Sequence, residues 1–280
     1  MPPSVCVVIP TYNQAGFIKR AVDSALVQDY PNLQIMVVDD GSSDGTRSKI
    51  QAEIDDGRIR YHCHEINRGR ASNYRFALNN CTTAEWVVNL DGDDYFMHPG
   101  FISEAMKSIQ RHGASDVIFF QGAHVLLGDK MTLPVFSMPR IDEAEAVMTA
   151  HDYFFGFFDR NSFSHLTTLY KRDLALASGF YESDALSSDL QSFLKLCLNH
   201  LDKKVVISKT VFAVWYQHAT NSSKSTSLRA HLKNYVLLSR LSKRALERTQ
   251  EPMACLAWQL RLTVFYLMVY AGLLKKKWFS

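Results

Sequence analysis

Cysteine is sparse and unpaired in this sequence: five residues, Cys6, Cys63, Cys81, Cys197 and Cys255, stand among 280. An odd number with no CxxC spacing excludes a disulfide framework and a zinc knuckle. Cysteines inside apolar runs behave as small core residues, and their scatter suits a reducing compartment. Glycine-rich phosphate loops are missing as well, since neither GxxxxGK[ST] nor GxGxxG occurs; a bound nucleotide would have to be held another way. Strong charge of one sign is absent too. The formal net charge of +3 is too mild to suggest nucleic acid as a partner. The opening MPPSVCVVIP has neither a basic stretch nor a long apolar core, so no secretion signal is expected there and a cytoplasmic location is the simplest setting. With 47% hydrophobic and 21% charged residues, the chain has the make-up of a folded globular protein.

What is present is an alternation of two periods. Residues 5–9 form a short apolar, β-branched run, as a buried parallel strand requires, with Pro10 expected to stop it. Phe17, Ile18, Ala21, Val22, Ala25 and Leu26 then fall on one helical stripe. Tyr30-Pro31-Asn32 breaks that helix, and residues 33–38 form a second apolar run ending in Asp39-Asp40-Gly41-Ser42. A helix is expected from about Thr46, a third strand over 58–62, a helix over 70–79, a strand over 86–90, a helix over 101–110 and a strand over 117–120. Alternation of this kind predicts an α/β fold: a single Rossmann-like, mostly parallel central sheet flanked by helices. In such sheets ligands bind beyond the carboxyl ends of the strands, where two acidic clusters fall.

The second cluster is the more telling. In VVNLDGDDYF, Asp91, Asp93 and Asp94 stand within four positions, where like charges repel unless something positive sits among them. A solvated turn is one reading. A site for Mg²⁺ or Mn²⁺ is the other, because these hard cations take a few carboxylates and complete their shell with phosphate oxygens. The Asp39-Asp40 pair is open to a turn or capping role, or to contact with a base or ribose, whose N–H and hydroxyl groups a carboxylate accepts.

In combination and order these motifs resemble the family 2 glycosyltransferases, which have the GT-A fold. The resemblance runs strongly from residue 4 to about 110, through VVIPTYNQAGFIKRAVDSALVQDYPNLQIMVVDDGSSDGT and LDGDD, the latter similar to that family's DxD motif. It implies a metal-dependent, inverting transfer of a sugar from a nucleotide-sugar, most simply a UDP-sugar, to a saccharide or lipid-linked acceptor in surface polysaccharide synthesis. Carried over by position, Pro10, Thr11, Tyr12, Asn13, Asp39, Asp40, Gly41, Asp91 and Gly92 line the nucleotide pocket, Asp40 facing the base and Asp39 supporting its loop. Asp93 is the principal ligand of Mn²⁺ or Mg²⁺, with Asp91 beside it and Asp94 behind. The family's usual arginine position is Tyr74 here, which leaves Arg70 and Arg75 as alternatives for a nucleotide contact.

Further along, GFYESDALSSDLQSFLKL resembles the family's GGFDE…ED region, with Ser188 in place of the glutamate and Asp189 at the aspartate. The resemblance makes Asp189 the general base; an N-cap role for the helix over 190–198 is the structural alternative. VWYQHATNSS resembles the late histidine segment, which makes His218 a further metal ligand. The departure at Ser188 keeps a catalytically inactive nucleotide-sugar-binding protein open as an alternative. A sugar-phosphate nucleotidyltransferase is less suited, since the first turn lacks its glycine-rich, arginine-containing loop. Residues 121–160 show no clear pattern; Tyr153, Phe154, Phe155, Phe157 and Phe158 are read as core, and His151, Asp152, His165 and Arg172 as polar candidates on the acceptor side.

The expected organisation is a GT-A domain over residues 1–224, its nucleotide-binding half ending near 120 and its acceptor half spanning about 121–224, then a helical extension over 225–280. Residues 253–274 are strongly apolar but carry Gln259 and Arg261, which weighs against a membrane-spanning helix. Two readings remain: an amphipathic helix resting on a membrane with Lys275, Lys276, Lys277 and Trp278 at the headgroups, or packing against the chain's own domain or a second copy in a homodimer.

Overall fold

A computed structural model describes residues 1–80, 84–129, 131, 133–160, 163–218 and 227–278. Strand β1 (Val5–Thr11) is buried along its whole length. It pairs in parallel with β2 (Leu33–Asp39) and with β4 (Trp86–Asn89), and β2 pairs in parallel with β3 (Arg60–Cys63). Pro10 does not end β1. The strand continues through Thr11, and the Pro10 carbonyl accepts from the Gly92 N–H at 3.2 Å, so a proline near a strand end removes a donor without loss of order.

Beyond β4 the sheet becomes mixed. Its main path is β3-β2-β1-β4-β9-β6-β10-β5, with the short β5 at Tyr95–Phe96, β6 at Val117–Gly128, β9 at Thr168–Lys171 and β10 at Lys204–Gln217; β7 (Val135–Ser137) pairs with β6 and β8 (Glu145–Thr149) with β10. The β6–β10 pair is parallel, whereas β9 runs antiparallel to both β4 and β6. Residues 121–128 therefore extend the strand expected over 117–120. Gln121 and His124 interrupt its apolar run, yet both are buried.

Alternation along β1 explains the layers. Val5, Val7 and Ile9 face a core that includes Ile18, Ala21, Val22 and Ala25 of α1 (Ile18–Leu26) and Phe101, Ile102 and Ala105 of α4 (Phe101–Arg111). Cys6 and Val8 face the opposite core with Ala71, Tyr74 and Ala77 of α3 (Arg70–Asn80) and Phe193, Leu194 and Cys197 of α8 (Ser188–Asn199). The helix expected near Thr46 is a short 3-10 turn, Arg47–Ile50, running into α2 (Gln51–Asp55). Cys6, Cys197 and Cys255 are buried thiols and Cys63 is exposed; Cys81 lies outside the described residues.

The aromatic segment is core, as expected, and its partner is the tail. Phe154 of α5 (Ala150–Phe155) stacks on Trp258 of α10 (Pro252–Trp278), with centroids 4.9 Å apart and planes 11° apart, and the Trp258 indole donates to the Phe154 carbonyl at 3.1 Å. The tail thus forms two helices, α9 (Leu228–Thr249) and α10, packed on the sheet-bearing body. His151 and Asp152 are engaged with each other and, through His151, with the tail. His151 pairs with Asp152 at 3.1 Å and with Glu251, just before α10, at 3.2 Å. Arg172 likewise binds the carbonyls of Leu78 and Asn79 at the end of α3, where a cation meets the helix's unpaired acceptors. The side chains of Lys275, Lys276, Lys277 and Trp278 lie outside the described part of the structure.

Candidate active site

The parallel strands deliver their loops to one edge. After β1 and β2 the loops are zipped together: Asn13 N–H donates to Ser42 Oγ at 2.8 Å, Ser43 N–H to Asn13 Oδ1 at 2.9 Å, and Ala15 N–H to Asp44 Oδ2 at 2.9 Å. Asn13 holds φ of 52°, a left-handed conformation that asparagine tolerates better than most residues. Tyr12 is left exposed beside these loops, and Thr11 binds Gln14 Oε1 at 2.7 Å. Gly92 packs against them so closely that a Cβ would lie 2.3 Å from Gln14 Oε1 and 2.9 Å from Thr11 Oγ1. Gly41, at φ +80°, turns the β2 loop against the backbone of Ile66 and Asn67.

Asp39 and Asp40 have distinct structural partners. Asp39 accepts from Ser42 N–H at 2.8 Å and from the Tyr61 hydroxyl at 2.7 Å, a loop-supporting role. Asp40 is buried and accepts the N–H groups of Arg68 at 2.8 Å and Gly69 at 2.9 Å. Its two oxygens therefore shape the 67–69 turn.

Asp91, Asp93 and Asp94 form one cluster, with a ligand-type oxygen of each within 4.8 Å of the others. Asp91 accepts from the Tyr74 hydroxyl and faces His165 Nε2 at 3.3 Å. Asp93 meets His218 Nε2 at 2.8 Å, and the His218 ring stacks on Phe17 with centroids 4.5 Å apart. Asp94 accepts the Tyr216 N–H at 2.7 Å, which turns it away from a purely solvent-facing role. Burial, and then the charge of neighbouring aspartates, raises the carboxyl groups of Asp93 and Asp94 above the usual range. Two hard carboxylates, a third in support and an imidazole make a donor set that fits Mg²⁺ or Mn²⁺. A cation there would relieve the repulsion that raises those groups.

The centre of the site is a histidine that joins both carboxylate sets. His165 Nδ1 lies 2.9 Å from Asp189 and its Nε2 3.3 Å from Asp91. Burial alone would depress this imidazole, but the charges of Asp91 and Asp189 outweigh it and push it up to about 10. Asp189 responds in the opposite sense. Burial would raise it, yet its bond to His165, with the positive charge of Arg70, holds it below the usual carboxylate range. Asp189 sits in the first turn of α8 and is not its cap; Ser187 occupies that position.

Arg70 is committed to the loop before α8. Its Nη2 donates to the carbonyls of Ala185 at 2.7 Å and Leu186 at 3.2 Å and lies 3.3 Å from Ser188 Oγ. Ser188, which stands where the resemblance expects a glutamate, is thus part of this clamp. Arg75 is on the exposed side of α3. Sequence reasoning gives neither His165 nor Tyr74 this role: His165 stands only among polar candidates on the acceptor side, and Tyr74 only occupies an expected arginine position. His165 has no local motif, since its partners lie 74 and 24 positions away.

Comparison with known proteins gives the family and the fold. A model of the family described as "Glycosyl transferase family 2" matches residues 6–174. The GalNAc(5)-diNAcBac-PP-undecaprenol beta-1,3-glucosyltransferase of Campylobacter jejuni is 35% identical over 107 residues, covering 38% of this chain and 34% of that protein. The succinoglycan biosynthesis protein ExoO of Rhizobium meliloti is 29% identical over 161 residues, covering 54% and 45%. The chain spans less than half the length of these curated relatives. Among solved structures, S. aureus TarS 1-349 with UDP-GlcNAc superposes with a TM-score of 0.74 at 19% identity, covering 93% of this chain and 71% of TarS 1-349. Mannosyltransferase PcManGT from Pyrobaculum calidifontis, in complex with GDP-Man and Mn²⁺, gives 0.64 at 19% identity, covering 99% and 75%. At such identities the structures establish the GT-A fold and no more. With its family model matched over more than half its length, the chain belongs to glycosyl transferase family 2.

Proposed function

We propose that this protein transfers a sugar, with inversion, from a nucleotide-sugar to a hydroxyl group of a saccharide or lipid-linked acceptor in glycan synthesis. The observation that carries the reading is the hydrogen-bonded path Asp91–His165–Asp189, which links the acidic cluster to a carboxylate held below its usual pKa range. Relatives named for glucosyl transfer to an undecaprenol-linked glycan and for succinoglycan biosynthesis support the acceptor class. A UDP-sugar is the donor we favour, because TarS binds UDP-GlcNAc in the same fold.

In this reading Asp91, Asp93 and His218 hold Mn²⁺ or Mg²⁺, which when bound neutralises the charge of the departing diphosphate. Asp94 fixes the turn by accepting from Tyr216. Thr11, Tyr12, Asn13, Asp40 and Gly92 frame the nucleoside, the exposed Tyr12 ring offering an apolar face and Asp40 a buried acceptor. Asp189 takes the proton of the attacking hydroxyl as its oxygen bonds to the sugar carbon and the bond to the diphosphate breaks. Held ionised by His165 and Arg70, Asp189 is in the protonation state that a base requires.

Replacing Asp189 with Asn separates this reading from that of an inactive binder. The variant is expected to bind nucleotide as the parent does and to lose about 10²–10⁴-fold in transfer. A parent protein that binds nucleotide-sugar but never turns it over with any acceptor would favour the binder.

A further inference from the structure

We infer that the outward face of the α9–α10 pair seats on an anionic lipid bilayer. Helix α10 carries two apolar stripes on opposite sides. One, Cys255, Trp258, Leu262 and Tyr266, is buried against the body and α9. The other, Met253, Leu256, Leu260, Val264, Leu267 and Met268, faces solvent, each residue 52–76% exposed. At 1.5 Å per residue this outward stripe is about 22 Å long. A patch of that extent marks an interaction surface on a soluble domain.

Charge chooses the occupant. Residues 228–278 contain ten lysines and arginines against two glutamates, Glu247 and Glu251, and Glu251 is already paired with His151. On α9, Arg229, Lys233 and Arg240 rim an open groove of about 390 Å³ whose apolar lining includes Leu232, Val236 and Leu237. A second copy docked face to face would bring these cations against their own kind, whereas an anionic bilayer attracts them and also accepts the apolar stripe of α10. The helix lies along the surface and does not cross it. Its inner stripe is held by the Trp258 bond to Phe154, and Arg261 pairs with Asp159 at 2.6 Å.

The same helices brace the catalytic loop. Lys233 donates to the Asp184 carbonyl at 2.5 Å, and Asn234 accepts from Ser187 N–H at 2.9 Å while donating to Ser187 Oγ at 2.8 Å. Ser187 precedes Asp189 by two residues, so a bilayer under α9 would lie beside the pocket. Lipid binding itself needs nothing from the glycosyl-transfer reading, and its test reads no turnover.

The full chain is mixed with phosphatidylcholine vesicles, with or without phosphatidylglycerol, and floated on a density step. Recovery with the anionic vesicles should exceed that with neutral ones at least about tenfold, and should fall in about 1 M NaCl. The double variant Leu260→Glu/Val264→Glu should stay behind with unchanged circular dichroism, as should Arg229→Gln/Arg240→Gln. Leu133→Glu, which alters an exposed leucine outside the tail, should float like the parent. Equal recovery of the parent from both vesicle types overturns the inference. So does a parent dimer that Leu260→Glu/Val264→Glu converts to monomer while leaving flotation unchanged, which would assign the stripe to a second copy.

Discussion

The imidazole of His165 bridges two carboxylates drawn from distant parts of the chain, Asp189 at 2.9 Å and Asp91 at 3.3 Å. Pushed up to about 10, it carries a proton on each nitrogen and donates in both directions. The histidine therefore locks the proposed base to the edge of the acidic cluster without itself needing to touch the reacting atoms. Truncating such a partner of a site carboxylate costs about 10–100-fold in activity. His165→Ala should lower kcat by that amount while leaving nucleotide affinity close to the parent's. Steady-state kinetics beside calorimetric titration of nucleotide would check the split; an equal loss in both would make His165 a binding residue.

Arg70 gives a second split. Its guanidinium is occupied by Ala185, Leu186 and Ser188, a planar fork that lysine does not reproduce. Arg70→Lys should loosen the loop ahead of Asp189 and reduce kcat, with the nucleotide Kd unchanged. A weakened Kd with intact kcat would return Arg70 to the nucleotide contact that sequence position alone allowed.

His124 supplies the pH dependence of stability. It is 3% exposed, its Nδ1 has no hydrogen-bond partner among the described residues, and burial, helped by the charge of His165, lowers its pKa to about 4. A base whose folded pKa is depressed favours the native state above its unfolded pKa of about 6.5, and that contribution is lost as pH falls toward 4. Between pH 7 and pH 5 the parent should lose roughly 2 kcal/mol through this group. Urea midpoints at both pH values, for the parent and His124→Gln, measure it: the variant's pH dependence should be shallower by that amount, and parallel curves would sink the attribution.

Trp258 tests how firmly the tail is part of the fold. The ring is 1% exposed, stacked on Phe154 and bonded to its carbonyl. Trp258→Ala should destabilise the protein by about 3–5 kcal/mol, read from urea unfolding. A loss near zero would mean that α10 is an independent appendage.

Much of the nucleotide-side architecture was legible because buried parallel strands are written as continuous apolar runs. The runs at 5–9, 33–38 and 86–90 became β1, β2 and β4, and the acidic clusters fell at the carboxyl ends of β2 and β4, where the topology collects loops. What stayed hidden depends on contacts made across the fold. His165 gains its role from Asp91 and Asp189, neither of which is near it in sequence. Arg70 and Arg75 are alike as letters, and only the loop over 184–188 distinguishes them. Gln121 and His124 hid the length of β6, because buried polar residues break an apolar pattern without breaking a strand. The tail's sequence showed a strongly apolar helix interrupted by Gln259 and Arg261, while the choice of inward face belongs to Trp258 and its partners.

The most direct test of the central claim is nucleotide release from a panel of UDP-, GDP-, dTDP- and CMP-sugars, followed with Mn²⁺, Mg²⁺ or EDTA in the presence of saccharide and polyprenyl-linked acceptors. The account predicts release from one donor, abolished by EDTA and by Asp93→Ala and reduced about 10²–10⁴-fold by Asp189→Asn. Release that persists undiminished in EDTA and in Asp93→Ala would contradict it, because the cluster of Asp91, Asp93 and Asp94 would then have no part in holding the diphosphate.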